Sequence, residues 1–326
     1  ESISTRLMAW GTHVADQMKV VFKVNTGAAV LGLGYIVGLK YAAIICAGSF
    51  VAWFVIVPLI NAAGGDATAM LSAETLFNDY AKPLGIGGIA MAGLIGIIKQ
   101  AGIIKRSLGM GVSELKGQKG GAKVERTQKD ISMKVILSIL IAALVATLFF
   151  FQFGVLHNWV QTVVALAIVF VIAFLFTTVA ANAIAIVGSN PVSGMTLMTL
   201  ILSSLVLVSV GLEGESGMIA ALVIGGVVCT ALSMAGGFIT DLKIGYWLGT
   251  TPKKQQTWKF VGTFVSAATV AGVMIIMNET YGFTGENALV APQANAMAAV
   301  IQPLMTGGST PWILYFMGAI LALVLT

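Results

Sequence analysis

The residues able to do chemistry gather at two breaks in otherwise apolar runs. Residues 182–196 read N-A-I-A-I-V-G-S-N-P-V-S-G-M-T. Pro191 lacks a backbone donor and disfavours helix at Asn190. Asn182, Ser189, Asn190, Ser193 and Thr196 supply neutral amides and hydroxyls around it. Residues 291–310 read A-P-Q-A-N-A-M-A-A-V-I-Q-P-L-M-T-G-G-S-T, where Gln293, Asn295 and Gln302 interrupt an apolar surface between Pro292 and Pro303. Neutral donors and acceptors suit hydrogen bonding to a polar cargo, and backbone N–H groups at a half-helix start suit a carboxylate. In hydrocarbon every backbone polar group needs an internal partner, so breaks of this kind are where many secondary transporters build substrate sites. Each break has a plainer reading too. S-N-P also fits a turn between two spans, and 291–310 also fits an outer loop carrying an amphipathic helix. Asn182, still inside the apolar run, favours the functional reading.

Charge is scarce near these breaks. Between Lys134 and Asp241 the only charges are Glu213 and Glu215. Asp241 and Lys243, in T-D-L-K-I-G-Y-W-L-G-T-T-P-K-K-Q-Q, stand at a span end. They are the candidates for proton coupling or gating of an inner mouth, against the plainer roles of surface pairing and snorkelling. Enzyme chemistry finds no support. His13 and His157 are far apart and form no H-E-x-x-H pattern. A-G-G-D at 63–66 misses the G-x-G-D of intramembrane aspartyl proteases. G-I-G-G-I-A at 85–90 follows no strand, so it reads as a chance match to a dinucleotide fingerprint. Cys46 and Cys229 lie in apolar runs and read as buried small hydrophobes, with no disulfide or metal framework. No cofactor is expected.

The elements that must hold these residues are helices in a bilayer. The chain has 326 residues, 58% apolar and 10% charged, with mean hydropathy +0.95. Soluble domains carry about 25% charged residues, so this composition excludes a soluble enzyme, a disordered chain and a disulfide scaffold. The apolar runs are continuous and not alternating, which disfavours a membrane β-barrel. A helix needs about 20 apolar residues to span the core. The expected architecture is an all-α polytopic membrane protein of about eight transmembrane helices, at 41–61, 83–104, 134–153, 159–180, 195–210, 217–238, 258–278 and 310–326. Two short stretches, 26–39 and 294–306, read as broken or re-entrant segments. A short segment followed by a long span occurs near both ends, which points to an internal structural repeat. Residues 1–25 read as an interfacial amphipathic helix or the inner end of a further span, and residues 26–326 as the transmembrane region.

Net charge is +5, but its distribution argues for a membrane and against nucleic acid. Lys105, Arg106, Lys116, Lys119, Lys123, Arg126, Lys129 and Lys134 share one polar segment, and Lys243, Lys253, Lys254 and Lys259 another. Such clusters mark cytoplasmic loops, here 105–133 and 239–257. The segments then left outside hold Asp66, Glu74, Asp79, Glu213, Glu215, Glu279 and Glu286, with Lys82 as their one cation. The chain starts at Glu1 and stops at Thr326 inside an apolar run, so it reads as a fragment of a longer protein.

S-N-P-V-S-G-M-T at 189–196, the stretch at 240–256 and P-Q-A-N-A-M-A-A-V-I-Q at 292–302 together resemble the oligopeptide transporter superfamily. L-G-L-G-Y-I-V-G at 31–38, followed by a Trp-containing span with Pro58, adds to the likeness. The chain looks closest to the prokaryotic branch, related to the yellow-stripe-like carriers of metal chelates, and would cover the central and C-terminal part of such a protein. The resemblance implies a proton-coupled secondary transporter of small oligopeptides or metal–chelate complexes in the bacterial inner (plasma) membrane. Alternating access around a midplane site is the expected mechanism, with the residues of the two breaks facing each other across it. A channel is the alternative from another class.

Overall fold

The computed structural model describes residues 2–4, 9–25, 27–99, 101–102, 104–106, 109, 125–187, 192–283, 292–306 and 311–325, and all structural statements concern these. Apolar runs without strong breakers form helices, because a helix satisfies every backbone group within its own segment. The long ones are α3 (Leu39–Gly64), α4 (Ala73–Lys99), α5 (Met133–Phe151), α6 (Trp159–Val187), α8 (Gly214–Leu248) and α9 (Pro252–Thr280). Shorter ones are α1 (Ala9–Gln17), α2 (Ala28–Val37), α7 (Val192–Ser209), α10 (Pro292–Met305) and α11 (Trp312–Leu325).

Among the described residues, six helices are long and apolar enough to cross a membrane. The other two expected spans, 195–210 and 310–326, correspond to shorter helices within the described residues. Their apolar helices are Met195–Ser209 and Trp312–Leu325. The stretches expected at 26–39 and 294–306 do form short helices, α2 and α10. Gly38, at φ 86°, separates α2 from α3. The all-α expectation holds, with one small addition. Ser2–Ser4 pairs antiparallel with Lys23–Asn25 in a small two-stranded ribbon, and α1 lies between these strands in the sequence.

The segment expected as a loop at 239–257 is mostly helix. Apolar spacing continues through Leu242, Ile244 and Trp247, so α8 runs on to Leu248. Gly249 then ends it at φ 67°. The Gly249 N–H bonds the Tyr246 carbonyl at 3.2 Å and the Thr250 N–H bonds the Gly245 carbonyl at 2.9 Å, a Schellman closure. Pro252 starts α9, where its missing donor costs nothing.

The chain divides into two compact units. The first comprises chiefly residues 1–95 with 311–326, the second 96–186 with 190–310. In the first, Ala15, Val21, Val57, Ala73, Leu76 and Ala81 form a buried cluster, and Trp53 stacks on Phe77 with centroids 4.6 Å apart. Here α4 and α11 approach to backbone contact. A Cβ added at Gly87 would strike the Tyr315 carbonyl, and one at Gly318 the Leu84 carbonyl.

In the second unit α8 buries one stripe, Gly217, Ala220, Ala221, Ile224, Gly225, Val228 and Leu232, at the spacing of one helix face. Its small residues admit α7 closely, the means by which helices pack in lipid. Leu200 of α7 fills the space beside Gly225. Helix α10 packs on both α7 and α8, contributing Ile301 and Met305 to their shared core.

Candidate functional site

The two sequence breaks lead into helices that touch. α7, which follows the first break, packs directly on α10, which holds most of the second. A Cβ at Gly217 would stand 2.8 Å from the Leu212 carbonyl and 3.0 Å from the Met305 sulfur. The chain just past α7 and the last residue of α10 therefore meet beside the start of α8. Near the opposite ends of both helices, Met195 and Met297 are each half-buried against the same core.

The individual residues divide as follows. Asn182 is half-buried in α6. Thr196 is 2% exposed, on the inner face of α7. Ser193 lies in the first turn of α7, and Gln293 and Asn295 at the start of α10, all three described by backbone alone. Ser189 and Asn190 lie outside the described residues. The Gln302 side chain is exposed. What it offers is its carbonyl, which accepts from the Thr306 N–H at 3.0 Å and the Thr306 hydroxyl at 2.8 Å. Pro303 cannot donate within the helix, and Thr306 secures the turn that follows.

Sequence reading missed a column of hydroxyls further along α7. Thr199, Ser203 and Ser204 are fully buried. Thr199 donates to the Met195 carbonyl at 2.9 Å and Ser203 to the Leu200 carbonyl at 3.2 Å. The Ser204 hydroxyl has no hydrogen-bond partner, a cost of about 1–3 kcal/mol when left dry. The signal was present in T-L-M-T-L-I-L-S-S, where Thr196, Thr199 and Ser203 fall on one helical face.

Asp241 and Lys243, the candidate coupling pair, do not pair with each other. Both lie within α8, and residues two apart on a helix do not face each other. Instead Lys259 of α9 donates to Asp241 Oδ2 at 2.6 Å, and Gln255 Nε2 donates to the Asp241 carbonyl at 3.2 Å. Lys243 is exposed and lies 5.7 Å from the Tyr246 ring and 5.3 Å from the Trp247 ring. That cation–π geometry is worth about 0.5–1 kcal/mol at an exposed site.

Around Asp241 and Lys259 the α8–α9 turn is clasped by the segment leading into α5. Arg126 donates to the Gly249 carbonyl at 3.0 Å and to the Thr251 hydroxyl at 3.3 Å. The Lys253 N–H bonds the Lys129 carbonyl at 2.9 Å. Gln256 donates to Asp130 at 2.9 Å and accepts from the Ile131 N–H at 2.8 Å. The two basic segments of the sequence are thus tied into one polar platform.

Comparison with known proteins fits this geometry. The family described as "OPT oligopeptide transporter protein" matches residues 2–326. A protein of Haemophilus influenzae named "Putative oligopeptide transporter" is 29% identical over 336 residues, covering 92% of this chain. The chain spans about half of that relative's length, 53%. Long apolar helices and a family match over nearly the whole sequence have one consistent explanation. The chain is part of a multi-pass integral membrane protein and belongs to the OPT oligopeptide transporter family, a family of transporters and not of enzymes.

Proposed function

We propose that the full protein is a proton-coupled secondary transporter of small oligopeptides, working by alternating access from the bacterial inner membrane. Its cargo site lies along the polar ends of α7 and α10, and Asn182 of α6 would contribute to it. The observation that carries this reading is the packing of α7 on α10, which joins two breaks about a hundred residues apart in sequence. The buried hydroxyls of Thr196, Thr199, Ser203 and Ser204 add support, since a peptide main chain needs alternating donors and acceptors. Ser189, Asn190 and Ser193 would contact the cargo from the α7 side, and Gln293 and Asn295 from the α10 side. Metal–chelate complexes carry the same mixture of groups and are the second substrate class.

In this reading Asp241 couples the proton. Its carboxylate is ion-paired to Lys259 on the next helix. Protonation would remove the charge and free Lys259, loosening α8 against α9 at the basic, inner end. Lys243, exposed at the same end, would attend the gate.

The test is uptake by the full-length protein, corrected for surface expression, with Asn190→Ala and Gln293→Ala. Loss of uptake with normal expression supports the site, and normal uptake in both removes it. A competition panel of di- to pentapeptides against iron chelates assigns the cargo class.

A further inference from the structure

Helices α5, α8 and α9 enclose a groove of about 600 Å³. Its walls are apolar, with Ile136 and Ala143 from α5, Met234, Ala235 and Phe238 from α8 and Phe260 from α9. From the first residue of α5 to Ala143 is about 15 Å along the axis, room for much of an acyl chain. None of the membrane-compatible window of α9 is buried, so this side of the groove faces its surroundings.

One end of the groove differs from the rest. Ile131, Gln256 and Lys259 line it, inside the polar platform that ties Lys129 to Lys253 and Asp130 to Gln256. The two chain segments that meet in this platform carry Arg126, Lys129, Lys134, Lys253, Lys254 and Lys259 against Glu125, Asp130 and Asp241. Lys259 is already engaged by Asp241, whereas Lys134 and Lys253 are exposed. An excess of cations over an apolar slot between membrane helices is the complement of one molecule, an anionic head group on hydrocarbon chains.

We infer that this groove holds an anionic phospholipid, its phosphate at the Lys134–Lys253 end and an acyl chain along Ala143, Ala235 and Phe260. A packed protein segment would fill the slot equally well but gives no reason for the cation excess at its mouth. The inference needs only membrane embedding and does not depend on what the protein transports.

The experiment uses the full-length protein in detergent, with dioleoylphosphatidylglycerol or dioleoylphosphatidylcholine added, and reads retained lipid by native mass spectrometry alongside thermal unfolding. The expected result is selective retention of phosphatidylglycerol with a matching rise in Tm. The double variant Lys134→Gln/Lys253→Gln should lose the preference by roughly fivefold per lysine while still folding, because both side chains are exposed. Ala235→Trp, which fills the slot and leaves every cation in place, should abolish retention. Equal retention of the two lipids by the native protein overturns the inference. So does an unchanged preference in the double lysine variant, which reads out even if Ala235→Trp fails to fold. A second copy of the chain or another segment of the protein would then be the occupant.

Discussion

Lys259 Nζ lies 2.6 Å from Asp241 Oδ2, joining α9 to α8 across the Schellman turn at Gly249. The carboxylate is 47% exposed and the ammonium 33%. An ion pair this wet contributes about 0–1 kcal/mol to stability. Asp241→Asn should therefore leave expression and Tm nearly unchanged. If Asp241 couples the proton, the same variant should lose gradient-driven uptake yet retain exchange of cargo across the membrane. Uptake with a native pH profile in Asp241→Asn would remove the residue from coupling.

Gly249 sits at φ 67°, and its carbonyl accepts from Arg126. A side chain in the left-handed region costs about 1–2 kcal/mol, and a β-branched one is least tolerated there. Gly249→Val should lower Tm and loosen the clasp on the segment before α5. Limited trypsin digestion at Arg126 and Lys129 would report it as faster cleavage. Unaltered cleavage would show that the turn does not anchor this segment.

Gly87 and Gly318 let α4 and α11 meet at the backbone, with no room for a side chain at either position. Gly87→Leu or Gly318→Leu should separate the helices and sharply reduce the folded yield. A Cβ added at Gly85 would meet nothing within 4 Å, so Gly85→Leu serves as the control and should fold normally. Size-exclusion profiles in detergent would compare the three.

Ser204 is fully buried with an unpartnered hydroxyl. If it serves packing alone, Ser204→Ala removes an unsatisfied group and should leave stability level or raise it by up to about 1 kcal/mol. If cargo uses this hydroxyl, the same variant should weaken uptake by about fivefold, the loss of a hydrogen bond worth about 1 kcal/mol. A rise in Tm with a fall in uptake would assign Ser204 to function. A rise in Tm with native uptake would assign it to packing.

The helices were the most legible part of the sequence, and for a simple reason. A bilayer forces long uninterrupted apolar runs, and Met133–Phe151 or Trp159–Val187 cannot be much else. The extent of α8 was misjudged at its basic end. Asp241, Lys243 and Tyr246 suggested loop by composition, while helical backbone hydrogen bonds carried on to Leu248. At the candidate site, the breakers Pro191 and Pro292 were conspicuous in apolar sequence, and α7 and α10 begin just after the one and at the other. That the two breaks face each other was expected from the resemblance, whereas nothing local encodes which distant helix a face meets, so the packing of α7 on α10 itself came only from the structure. The partner of Asp241 escaped for the same reason. Lys243 was the neighbour in sequence, and Lys259, on the next helix, is the neighbour in space.

The most direct measurement is uptake of a labelled tripeptide into proteoliposomes of the full-length protein under an imposed proton gradient. The account predicts saturable accumulation that collapses when a protonophore dissipates the gradient and that falls in Asn190→Ala and Gln293→Ala. Ohmic conductance, or tripeptide entry indifferent to the gradient and to both substitutions, would contradict it.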